Sequence, residues 1–182
     1  MRSRTLATLS LLPYFAAAQA PDRAVEFVDP FIGTGGHGHT FPGACVPNGL
    51  VQLSPDTRSD GYNDWDGCGG YHYSDTVVLG FSHTHLSGTG VPDLCDVLLM
   101  PMTGTYSLDP AWYRSTFSHV NEEAHAGYYH VRLDGPQVDV ELTASAHVGV
   151  HRYHFKPGQA AYVVMDLLHR DELLQGSIQP RT

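Results

Sequence analysis

Val138–Ala144, VDVELTA, decides the fold class. Val138, Val140, Leu142 and Ala144 fall on one side of an extended chain, and Asp139, Glu141 and Thr143 on the other. Successive strand side chains point to opposite faces, so this period of two predicts a strand with one buried and one solvated face. Working outward, Tyr128–Leu133, Val148–Phe155 and Ala161–Leu167 read the same way. They are separated by the turn signals Asp134-Gly135-Pro136 and Lys156-Pro157-Gly158. Val77–Phe81 and Asp96–Met100 read as more fully buried strands. Little of the chain reads as helix, and its 19 glycines and 12 prolines are spread throughout. The expected class is all-β, an antiparallel β-sandwich.

Residues 1–20 stand apart. Arg2 and Arg4 precede a mostly apolar run, Leu6–Ala18, which is too short to span a membrane as a helix and contains Pro13. Ala18-Gln19-Ala20 is a small-x-small cleavage pattern, so 1–20 is expected to be a secretory signal and 21–182 one domain. Removing 1–20 leaves 8 basic against 19 acidic residues, a formal charge of −11 instead of −9. Phosphate polymers are repelled by such a chain, which excludes nucleic acid as an expected partner. No later segment is long and apolar enough for a transmembrane helix. The expected location is secreted or periplasmic, including the cell surface. Cys45, Cys68 and Cys95 are odd in number and lack Cys-x-x-Cys spacing, so at most one disulfide is expected. The chain stops at Gln179-Pro-Arg-Thr182 without a closing element. Five to seven strands leave exposed edges, so the chain reads as the front part of something longer.

The stretch from Pro30 to Gly90 is loop-rich and carries Gly33–Pro42 (GTGGHGHTFP) and Phe81–Gly90 (FSHTHLSGTG). Gly33-x-Gly35-x-x-Gly38 matches a dinucleotide fingerprint only formally, because Pro42 and Pro47 forbid the helix that must follow. Two His-x-His pairs, His37/His39 and His83/His85, present imidazoles to one face if extended. His72 or Asp93 would then complete a transition-metal site. A sugar is the other ligand class. Asn63-Asp64-Trp65-Asp66-Gly67 and Gly70-Tyr71-His72-Tyr73 join aromatic faces to carboxylates, which suits a ring with apolar C–H faces and a hydroxyl rim. Trp65 is either a core tryptophan or a loop-borne platform, and its flanking Asp64, Asp66 and Gly67 argue for the loop. Gly-x-Ser-x-Gly is absent. Glu122-Glu123 reads as a solvated pair, since strand neighbours point to opposite sides.

The ordered motifs VDPFIGTGGHGHTFPGA, VQLSPDTR, WDGCGGYHYSD, GFSHTHLSGTG, SHVNEEAHAGYYHVRL, VELTASAHVGVHRYHF and VVMDLLHRDELLQGSIQ span about residues 27–179. Together they resemble the N-terminal domain of glycoside hydrolase family 92, calcium-dependent exo-acting α-mannosidases. The resemblance implies an incomplete galactose-mutarotase-like supersandwich, packed in the whole enzyme against a C-terminal (α/α)6 domain. It implies an inverting mechanism at the cleft between the two. The general acid, the base and most calcium ligands are expected from that second domain, so no catalytic or metal residue is expected here. The substrate is expected to be a mannose-containing glycan. Trp65 matches the family tryptophan that contacts the leaving-group sugar, and Asp66 a polar neighbour. Gly35, Gly36, His37 and His39 match one cleft-facing loop, His83 and His85 a second, with the histidines bonding backbone carbonyls. Asn48-Gly49-Leu50 and Val91-Pro92-Asp93 depart from the family pattern. The rival readings are a stand-alone carbohydrate-binding β-sandwich module and, more remotely, a His-rich metalloenzyme.

Overall fold

The computed structural model describes residues 24–60, 63–170 and 172–179; the expected signal segment, 1–20, lies outside them. Two five-stranded antiparallel sheets face each other. One runs in the order β1 (Ala44–Cys45), β2 (Gln52–Asp56), β4 (Gly80–Ser82), β5 (Leu98–Thr103), β10 (Ala161–Asp166). The other runs β3 (Val77–Val78), β6 (Ser115–His125), β7 (Tyr128–Leu133), β8 (Val138–Ala144), β9 (Gly149–His154). The chain is thus an all-β sandwich. A single turn of helix, α1 (Pro110–Tyr113), is capped by Asp109, whose carboxylate accepts from the Ala111 N–H at 2.9 Å.

The period of two does what the sequence requires. Val138, Val140 and Leu142 of β8 are buried opposite Leu133, Val131 and Tyr129 of β7. These pairs meet Leu53, Phe81, Leu98 and Met100 from the facing sheet in one core. Gly158, at φ +83, supplies the left-handed residue that the turn after β9 needs.

Three elements depart from the sequence reading. Val77–Phe81 is not one strand: β3 pairs with β6 in one sheet, and β4 pairs with β2 and β5 in the other. The crossing is possible because Gly80 has no side chain. A Cβ there would lie 2.3 Å from Cδ2 of the buried Leu98. β6, eleven residues long, escapes a periodicity search because its register against β7 shifts between Phe117 and Glu122. β2 contains Pro55, normally a strand breaker. Here β1 pairs only with Gln52 and Leu53, so Pro55 has no ladder to break on that side.

Candidate functional site

The Trp65 turn is built from its ends inward. Arg58 donates to both carboxylate oxygens of Asp75, at 2.8 and 3.0 Å, and to Asp64 at 2.8 Å. This fork fixes the residue just before Trp65, which opens a 3-10 turn, Trp65–Gly67. The indole is 59% exposed. It is a loop platform, as its flanks indicate. One edge packs on His39, with ring centroids 4.8 Å apart and planes at 75°. The other lies against Gly90, where a Cβ would approach Cη2 to 2.0 Å. The two glycine- and histidine-rich loops are joined beneath it, the Gly88 N–H donating to the His39 carbonyl at 2.7 Å.

Beside the indole, His37 Nδ1 donates to Asp66 Oδ1 at 2.5 Å, and that bond holds the Asp66 carboxyl below its ordinary range. His72 Nε2 donates to the Gly36 carbonyl at 3.1 Å, and Gly36 itself needs φ +60. Gly35 rests on Tyr73. Trp65, Asp66, Gly35, Gly36, His37 and His39 therefore form one rim.

His83 and His85 do not join that rim. His83 Nδ1 donates to the Val97 carbonyl at 2.8 Å, and its Nε2 lies 3.2 Å from His151 Nε2. His85 points into the interior, where Nδ1 donates to the Gln52 carbonyl at 2.7 Å and Nε2 lies 2.8 Å from Asp56 Oδ1. Of the four histidines expected to bond backbone carbonyls, His83 and His85 do, whereas His37 is paired with Asp66 and His39 Nε2 makes no such bond. The His-x-His metal reading fails on geometry: His37 has an 80% exposed side chain while His39 is buried, and His83 and His85 part company. None of the three cysteines forms a disulfide.

The solvated Glu122-Glu123 pair is corrected. Glu123 is exposed and accepts from His125, but the Glu122 side chain is only 1% exposed. It accepts from Tyr71 Oη at 2.9 Å, Tyr129 Oη at 2.6 Å and His119 Nδ1 at 2.6 Å. Burial first, and then the Glu122 charge, push both tyrosine hydroxyls above their ordinary pKa. The strand neighbours do point to opposite sides, and the inward one is this glutamate.

A model of the glycosyl hydrolase family 92 N-terminal domain matches residues 27–182. The chain belongs to this family. A family 92 α-mannosidase of Bacteroides thetaiotaomicron, solved with mannoimidazole, superposes with TM-score 0.75 at 40% identity over 80% of this chain and 20% of its own. An inverting family 92 mannosidase of the same species gives TM-score 0.65 at 28% identity over 78% of this chain and 19% of its own. An uncharacterized secreted glycosidase of Arthroderma benhamiae is 29% identical over 170 residues, 88% of this chain and 21% of the relative. The family 92 domain seen here thus spans about a fifth of the length of the relatives it matches.

Calcium is the metal the family resemblance implies. Among the described residues, one set of three His, Cys, Asp or Glu donors converges: Asp56, His85 and Cys95, all buried. One carboxylate, one imidazole and one thiol do not fit an ion that takes six to eight oxygens. This family 92 domain offers calcium no cage in that set. Sequence reasoning missed the cluster, because its members lie far apart in the chain and only the closed sheet brings them together.

Proposed function

We propose that this chain is the N-terminal cleft wall of a secreted, inverting α-mannosidase that removes terminal α-linked mannose from glycans. The observation that carries the reading is the half-exposed Trp65 indole, clamped between His39 and Gly90 with the Asp66–His37 pair at its side. A rigid aromatic face beside an ionised carboxylate suits a sugar ring, whose C–H face stacks while its hydroxyls donate. The family membership and the α-mannosidase relatives support the substrate class. Similarity to a secreted glycosidase and the small-x-small pattern at 18–20 support export.

Inverting hydrolysis needs one carboxylic acid to protonate the leaving oxygen and a carboxylate to activate water across the ring. The rim described here has Asp66 committed to His37, and the well-buried Glu122 is committed to two tyrosines. In this reading, both reacting carboxyls and most of the calcium ligands come from a second, helical domain of the longer protein. Trp65 supplies leaving-group contact. The test has two arms. The 182-residue chain alone should release no mannose from an α-mannoside. In the longer protein, Trp65→Ala should lower kcat/KM on the order of tenfold or more, since an aromatic platform is worth about 0.5–1.5 kcal/mol beyond its buried area and about 1.4 kcal/mol is tenfold. Its melting temperature should not move. Mannose release by the chain alone, or unchanged kinetics in the variant, overturns the proposal.

A further inference from the structure

Asp56, His85, Cys95 and His169 come from four segments: β2, the loop after β4, the loop before β5 and the stretch after β10. Asp56, His85 and Cys95 each bring one donor atom to within 4.8 Å of the others. The His169 side chain is 6% exposed, and its Nε2 lies 3.3 Å from Asp56 Oδ2. That distance allows an ion pair, yet both atoms lack hydrogen-bond geometry to any partner. Two polar atoms aimed at each other in the interior and left unsatisfied are costly, about 1–3 kcal/mol each.

The geometry points to a tetrahedral site for a borderline-soft divalent cation, zinc by its donor set, held by Asp56, His85, Cys95 and His169. The inference does not depend on the mannosidase reading.

Four further observations agree with it. His85 Nδ1 is committed as a donor to the Gln52 carbonyl, which leaves Nε2, now donating to Asp56 at 2.8 Å and 3.2 Å from Ser82 Oγ, as the nitrogen a metal would take by displacing that proton. Metal-bound histidines are oriented in this way by a carbonyl on the opposite ring nitrogen. Gly70, at φ +82, roofs the cluster. A Cβ there would lie 2.6 Å from Asp56 Oδ1, 2.8 Å from Cys95 Sγ and 3.2 Å from His85 Cδ2, so the glycine keeps the space among the donors open. Arg170 Nη1 donates to Cys95 Sγ at 3.2 Å and so fixes the direction of the sulfur. Leu94, Cys95 and Val97 all have positive φ, and this loop backbone turns the thiol inward. Metal–ligand bonds of about 2.0–2.3 Å place tetrahedral ligand atoms about 3.3–3.8 Å apart. The 2.8 Å between His85 Nε2 and Asp56 Oδ1 must therefore open by about half an ångström, and His169 Nε2, which touches Asp56 but stands outside the 4.8 Å set of the other three donors, must close on them. Binding replaces the Cys95 thiol proton and the His85 Nε2 proton, and both leave to solvent, so affinity weakens in acid.

The site would lie under the rim. Arg170, which holds Cys95, also donates to the Gly67 and Cys68 carbonyls at 3.2 and 3.5 Å, at the end of the Trp65 turn. Zinc would thus brace the platform from below.

The experiment uses the full chain without a histidine tag. Metal analysis should find about one zinc per chain after dialysis against calcium. Cobalt(II) substitution should give a thiolate-to-metal charge-transfer band and the strong visible bands of tetrahedral cobalt. Cys95→Ala should abolish the charge-transfer band, and Cys68→Ala should keep it. Should Cys95→Ala fail to fold by circular dichroism, His169→Gln is read instead: it keeps the thiolate band while weakening zinc by at least about 10–100-fold, the scale seen when a metal site loses even a supporting group. A wild-type chain with no thiolate band, a band that survives Cys95→Ala, or zinc affinity untouched by His169→Gln overturns the inference.

Discussion

At the scale of single residues, the sequence tells more about exposed groups than about buried ones. Trp65 is legible as a loop residue because Asp64, Asp66 and Gly67 flank it and no apolar residue stands two positions away on either side, where a strand such as β8 repeats one. Glu122 is not legible. Nothing in Asn121-Glu122-Glu123 says which carboxylate turns inward; that depends on the shifted register of β6 and on Tyr71, fifty-one residues away. Its burial makes a sharp prediction. Glu122 is the common acceptor for two buried hydroxyls and His119. Glu122→Ala strips all three of their partner at once, and a buried polar group left unpaired costs about 1–3 kcal/mol. Urea unfolding should show a loss of about 3 kcal/mol or more, against less than about 0.5 kcal/mol for the exposed Glu123→Ala. Equal losses in the two variants would mean that the Tyr71–Glu122–Tyr129 arrangement does not hold the core.

At the scale of elements, β7, β8 and β9 are legible because each has its own alternation and its own turn signal; β10 is legible as a strand, but its Ala161, Val163 and Met165 face, expected to be buried, is exposed. The β3–β4 corner is not, since only the packing of Leu98 over Gly80 shows that five consecutive apolar-looking residues serve two sheets. β9 carries a further consequence of packing. Tyr153 Oη donates to His151 Nδ1 at 2.8 Å, His151 Nε2 meets His83 Nε2 at 3.2 Å, and His83 Nδ1 is already donating to the Val97 carbonyl. The chain of bonds closes with every imidazole neutral: His151 Nε2–H donates to the His83 lone pair. Burial, and then the neighbouring His83, hold the His151 pKa down to about 4 from 6.5. An unfolded chain takes up this proton near pH 6.5, and the folded chain refuses it until about pH 4. The contribution is therefore whole above pH 6.5 and drains as the pH falls towards 4. The full difference converts to about 3 kcal/mol, which the ring's partial exposure trims to about 1–2 kcal/mol. His151→Gln preserves one acceptor and one donor without titrating. Urea midpoints compared at pH 7.5 and 4.5 should fall less in His151→Gln than in the unaltered chain, by about 1–2 kcal/mol. Parallel pH dependence in the two proteins would assign the acid loss to other groups.

At the scale of the whole molecule, the two sheets close a core between them but leave apolar surface outside it. β9 and β10 each end a sheet. On β10, Tyr162, Val163 and Met165 are exposed, and only Val164 is buried. Tyr106 lies beside Tyr162, with ring centroids 5.8 Å apart, and is exposed as well. An edge strand with an apolar face and unpaired backbone groups is a template for another strand. The expectation of open edges, drawn from the count of alternating runs, is legible in the sequence. Which edges stay open is not, because β5–β10 pairing joins residues some sixty positions apart. The incomplete supersandwich that the family resemblance implies would give these edges further strands to pair with. The chain of 182 residues by itself should instead associate through β10. Sedimentation at tens of micromolar should show a mass that rises with concentration. Val163→Lys places a charge on the exposed edge, opposite Pro101 where little packing is lost, and should return the chain to monomer with its melting temperature unchanged. Association that persists in Val163→Lys would move the sticky surface elsewhere, with the exposed Trp112 of α1 and Leu108 just before it next to be tested. A chain that stays monomeric at every concentration would show that β10, despite its apolar face, is already a protected edge.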